Sequence, residues 1–126
     1  MVAGPDIRGR WVNQNGSTLV IEEIDDGHII GRFESLKGRA AKDIEYPVAG
    51  LQNGELVSFL VSFTSPEENL HAITSFAGRW ENGSDGVQRI HTTWILSRQF
   101  EDSDMQKPTQ VWNTFLTNGD VFTRTE

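Results

Sequence analysis

The stretch Gly9-Arg10-Trp11-Val12-Asn13-Gln14-Asn15-Gly16-Ser17-Thr18 reads as a strand, a tight turn and the start of a second strand. Side chains alternate across a strand, so Trp11 and Asn13 share one face. Trp11 then enters a core and Asn13 stands one step further along the same wall. Asn15-Gly16 reads as a hairpin turn, because both residue types tolerate positive φ, and Ser17 begins the return strand. Asn13 and Ser17 would face each other at one end of an apolar space, which suits the polar head of a small ligand.

Outward from this stretch the same punctuation recurs. Gly follows Asp or Asn at Asp26-Gly27, Asn53-Gly54, Asn82-Gly83, Asp85-Gly86 and Asn118-Gly119, which predicts an antiparallel meander. The runs between are rich in β-branched and aromatic residues, and they predict strands over 10–14, 17–24, 28–34, 45–50, 55–64, 71–81, 87–98 and 111–122. About eight antiparallel strands suit a closed up-and-down β-barrel, just wide enough to hold one small ligand. No segment carries a helical apolar stripe of useful length, so the fold class is all-β.

Three of the predicted strands share one inward face. In 57–63 the alternation sends Val57, Phe59, Val61 and Phe63 inside. In 71–80 it sends Ala72, Thr74, Phe76, Gly78 and Trp80 inside, leaving His71, Ile73, Ser75 and Ala77 outside. In 90–96 it sends Ile90, Thr92, Trp94 and Leu96 inside and His91, Thr93 and Ile95 outside. An outer face this apolar on adjacent strands predicts contact between subunits.

Composition narrows the function classes. At 126 residues one core is expected, so 1–126 reads as a single domain, with 1–8 as a flexible segment ahead of the barrel. Eighteen acidic against 11 basic residues give a formal charge of −7, which disfavours nucleic acid as a partner. No apolar run approaches the roughly 18 residues of a membrane span, so no membrane partner is expected. The first residues lack the make-up of a signal peptide. Cysteine is absent, which removes disulfides, thiolate metal sites and cysteine nucleophiles.

The opening stretch resembles the start of the avidin and streptavidin family, whose barrel begins with a Gly-x-Trp-x-Asn-x-x-Gly-Ser pattern. Further stretches match that family in order: Phe59 to Phe63, Ala72 to Gly78, Thr92 to Leu96, the Trp in Val111-Trp112-Asn113-Thr114, and the closing Gly119-Asp120-Val121-Phe122-Thr123. The resemblance spans Gly9 to Thr123. It implies an avidin-like barrel that binds biotin with high affinity and without catalysis, biotin being a ligand and not a cofactor.

By family position, Asn13 and Ser17 would donate to the urea oxygen of biotin. Ser35 and Thr74 would serve a urea nitrogen and the ring sulfur, and Asp120 would accept from the other nitrogen. Phe63, Phe76 and Trp94 would form walls, with Leu96 beside them, and Gly38 would lie at the entrance in the loop 36–43. Trp112 would come from a neighbouring subunit as a lid, in a homotetramer or, alternatively, a dimer. The resemblance also implies a secreted or periplasmic protein. Three departures from the family's familiar pattern stand out: Phe33 stands where a Tyr hydroxyl usually donates, Ala72 where streptavidin has a Ser that contacts the carboxylate, and Phe63 and Phe76 where streptavidin has Trp. The missing Phe33 hydroxyl would cost about 1–3 kcal/mol of binding.

Taken singly, these residues have ordinary readings. Trp11, Phe63, Phe76 and Trp94 are good barrel core, Asn13, Asn15 and Ser17 are good turn residues, and Asp120 could cap a hairpin. Parity places Asn13, Ser17, Ser35, Thr74 and Asp120 together on the inner surface, where buried polar groups need partners. A lipocalin-like or fatty-acid-binding-like barrel for another apolar ligand is the alternative, but it would not need these groups at one end. His28 beside a turn, with His71 and His91 outward, supports neither a metal cluster nor a Ser-His-Asp set, so no enzyme is expected.

Overall fold

The computed structural model describes residues 4–35, 44–100, 105–108 and 110–125, apart from the side chains of Val111 and Asn113. Eight strands follow one another: β1 Gly9–Val12, β2 Thr18–Asp25, β3 His28–Glu34, β4 Tyr46–Asn53, β5 Leu56–Thr64, β6 Asn69–Asn82, β7 Gln88–Arg98 and β8 Phe115–Arg124. Each pairs antiparallel with the next, and β8 returns to β1 through Trp11↔Arg124 and Val12↔Thr123, closing the barrel. Closure leaves no free sheet edge, and period-two alternation then separates core from surface on every wall.

The inner faces of β5, β6 and β7 are those the alternation predicts. Val57, Phe59, Val61, Thr74, Phe76, Ile90 and Thr92 are buried, and Phe63, Trp80 and Trp94 pack against the core. Phe59 and Phe76 stack at 4.6 Å, while Phe122 meets both edge-on. On the outer face Leu60, Ile73 and Ile95 are exposed, the last two by 41% and 46%. His71 departs from the clean outward reading. A register shift between Ser62 and Thr64 puts it at an irregularity, with φ of 56°, half buried and its ring edge-on to Phe100 at 5.0 Å.

The first turn is longer than expected, running from Asn13 to Ser17 between β1 and β2. β1 stops at Val12, so Asn13 and Gln14 belong to the turn and not to the strand. Asn13 Oδ1 accepts the backbone N–H groups of both Asn15 and Ser17, and Gly16 N–H returns to the Asn13 carbonyl. Gly16 takes the positive φ, 86°, that this turn requires.

Two expectations are corrected. The eighth strand does not begin at Val111: residues Val111–Thr114 form a short 3-10 turn, and β8 starts at Phe115. Trp112 sits on that turn, 70% exposed. Residues 4–8 are not a loose leader. Ile7 is fully buried, its carbonyl accepts from Trp11 Nε1 at 2.9 Å, and Arg124 donates to the carbonyls of Asp6 and Arg8 while lying over the Trp11 ring. Gln52 holds the Pro5 carbonyl from the opposite wall. An apolar side chain that plugs the barrel end, with its backbone satisfied by three separate side chains, orders a segment that no strand pattern marks.

Candidate ligand-binding site

The other end of the barrel holds a cavity of about 280 Å³. Its lining includes Asn13, Ser17, Phe33, Ser35, Phe63, Ala72, Thr74, Phe76, Trp94, Leu96 and Asp120, so these expected site residues converge. The buried polar members are Asn13, Ser17, Ser35, Thr74 and Asp120. Aromatic carbon surrounds them: the Phe33 ring lies 6.4 Å from both Phe63 and Phe76. Few polar groups set in an apolar wall is the usual make-up of a small-molecule pocket. Trp94 Nε1 is buried and has no hydrogen-bond acceptor among the described residues.

Trp112 does not line this cavity within its own chain. Gly38 lies outside the described residues. Phe33 contributes only a ring, as its residue type requires, and Ala72 only a methyl group.

Asp120 is anchored through both carboxylate oxygens and its backbone. It lies on β8, where the Thr92↔Asp120 register brings β7 alongside, and Thr92 Oγ1 donates to the Asp120 carbonyl at 2.8 Å. Its carboxylate accepts from Asn13 Nδ2 at 3.1 Å on Oδ2 and from Gln14 Nε2 at 2.8 Å on Oδ1. Gln14 also accepts the Val121 backbone N–H through Oε1 at 2.9 Å. The first turn is thereby stitched across the β1–β8 seam, and the carboxylate is held in one orientation with acceptor capacity remaining.

Sequence reasoning missed several of these contributors. Asn15 and Leu70 also line the cavity, and Gln14 and Thr92 fix Asp120 without lining it. Thr92 was legible as inward-facing but not as a strut for its neighbour. Gln14 and Asn15 lie where strand parity stops, so alternation carries no signal about where a turn side chain reaches. Leu70 sits at the irregular start of β6.

A closed antiparallel barrel with an aromatic-walled cavity, polar at the end formed by Asn13, Ser17 and Asp120, has the architecture of a small-ligand-binding β-barrel. Comparison with known proteins places it more narrowly. The chain belongs to the avidin family, whose sequence profile matches residues 2–125. That membership sets aside the lipocalin-like and fatty-acid-binding-like alternative. Apo shwanavidin is similar in structure, with 30% identity and a TM-score of 0.78 over 94% of this chain and 100% of that one. A shwanavidin variant in complex with biotin is similar at 29% identity, with a TM-score of 0.77 over 97% of this chain and 100% of that one. Afifavidin of Afifella pfennigii is 29% identical over 100 residues, 79% of this chain and 62% of its own length. This chain thus spans less than two thirds of that relative.

Proposed function

We propose that this protein binds biotin in the barrel cavity, as a binding protein with no catalytic step. The observation that carries the reading is the anchored Asp120 carboxylate facing Asn13 and Ser17 inside an aromatic-walled cavity. A cyclic urea needs an acceptor for N–H on one side and donors for its oxygen on the other. Asp120 supplies the acceptor, and Ser17 Oγ and the second hydrogen of Asn13 Nδ2 supply donors. Ser35 and Thr74 meet the remaining polar edge, and Phe63, Phe76, Trp94 and Leu96 enclose the rings and chain. Membership of the avidin family, and biotin held by a similar shwanavidin variant, support the same ligand.

The assembly belongs to this proposal as well. A homotetramer, or else a dimer, would cover the exposed Leu60, Ile73 and Ile95 and would bring Trp112, 70% exposed in the single chain, over a neighbour's cavity. Secretion or a periplasmic location is proposed from the family resemblance.

Trp94 in the cavity wall supplies an optical test. Biotin added at micromolar protein should change tryptophan fluorescence with a saturable profile, whereas a long-chain fatty acid should not. Saturable binding of the fatty acid with no response to biotin would overturn the reading.

A further inference from the structure

We infer that Asn15 is a ligand-contacting residue that donates a hydrogen bond to the carbonyl oxygen of the ligand's polar head. The inference rests on the reading of the cavity as a biotin site and adds to it a residue of the first turn. Asn15 lines the cavity although it stands at an exposed turn position. Its backbone N–H is committed to Asn13 Oδ1, but its carboxamide makes no hydrogen bond among the described residues. A side chain that lines a cavity with two N–H donors unspent is suited to a ligand acceptor.

The neighbouring groups explain why that donor matters. Asn13 has spent Oδ1 on two backbone N–H groups and one Nδ2 hydrogen on Asp120, so it retains a single donor for the ligand. Phe33, on the next wall of the same cavity, presents only carbon. A carbonyl oxygen has two lone pairs, and a polarised one gains from each additional donor. Asn15 and Asn13 flank the same turn, whose backbone is pinned by Asn13 Oδ1 and the Gly16 return bond. The Asn15 backbone is therefore fixed at the edge of the cavity, and only its side-chain torsions need ordering on binding.

The test pairs two substitutions with two ligands. Asn15→Leu keeps approximate size and removes the amide; Asn15→Asp keeps shape and turn preference but removes both donors. Isothermal titration of the unsubstituted protein and both variants is done with biotin and with its thiocarbonyl analogue, whose sulfur accepts hydrogen bonds weakly. Each substitution should weaken biotin binding about tenfold and change binding of the thiocarbonyl analogue by roughly twofold or less, with thermal midpoints of the unliganded proteins unchanged. Unaltered biotin affinity in both variants would overturn the inference. So would an equal loss for both ligands, which would make Asn15 a support for the turn only. If the unsubstituted protein fails to bind biotin, the proposed function itself falls, and this inference with it.

Discussion

Asn13 Nδ2 donates to Asp120 Oδ2 across 3.1 Å, joining two residues 107 positions apart in the chain. One comes from the first turn and the other from the last strand, so the bond exists only once the barrel has closed. The polar end of the cavity is thus a product of closure, and Gln14 reinforces it from the same turn.

Removing the carboxylate should remove the acceptor for the ligand's N–H. We expect Asp120→Ala to cost about 1.5–3 kcal/mol of biotin binding, as for a hydrogen bond to a charged group, or roughly 10- to 150-fold in affinity. Gln14→Ala should cost roughly 2- to 10-fold, because Gln14 orients the carboxylate and does not line the cavity. Calorimetric titration of both variants orders the two effects; equal losses would contradict separate roles.

The opposite barrel end rests on Ile7. Its side chain is fully buried and its carbonyl is bonded to Trp11 Nε1. Ile7→Ala should destabilise the unliganded protein by about 2–5 kcal/mol, the range for truncating a large buried aliphatic side chain. Urea denaturation followed by tryptophan fluorescence measures this. A change below about 1 kcal/mol would mean that residues 4–8 are not part of the cooperative unit.

How much of this was legible beforehand depends on periodicity. The strands β5 to β7 announce their inner faces because Val57, Phe59, Val61, Phe76 and Trp94 recur at every second position, although Leu60, Ile73 and Ile95 make the outer face apolar too. Asn13 and Asp120 could be placed on the inner wall, but the bond between them could not be read, since it depends on the β1–β8 seam. Ile7 was missed because it precedes the first strand and stands outside any alternating pattern. The run 111–122 reads as one strand because its β-branched and aromatic residues favour extended backbone, whereas local 3-10 bonding over Val111–Thr114 overrides that preference. Asn15 was absorbed by its value as a turn residue, which says nothing of where its amide points.

Acid should loosen the same N-terminal segment. The Arg8 side chain donates to Asp6 at 2.9 Å and, with the Arg8 backbone N–H, holds the Asp6 carboxyl at about 2, below its ordinary 3.8. A depressed folded pKa means that the ionised group favours the folded state. Its contribution is present above about pH 4 and is lost as pH falls through about 2. NMR titration should place the Asp6 midpoint near 2 and return it toward 3.8 in Arg8→Ala. An unchanged midpoint in that variant would contradict the assignment of the shift to Arg8.

Assembly has its own observable in Trp112. If a neighbouring chain places this exposed side chain over the cavity, Trp112→Ala should weaken biotin binding by tenfold or more, on the scale of an aromatic anchor worth about 2 kcal/mol. Light scattering should return a tetramer, or a dimer, for the unsubstituted protein. A monomer, or biotin affinity indifferent to Trp112→Ala, would remove the shared lid.

If the cavity between Asn13, Ser17 and Asp120 takes the urea head of biotin, binding must be directly observable. Isothermal titration calorimetry with biotin at micromolar protein tests it most directly. The expected result is saturable heat with one biotin bound per chain, and an affinity weaker by roughly 10- to 150-fold in Asp120→Ala. No heat with the unsubstituted, folded protein would contradict it.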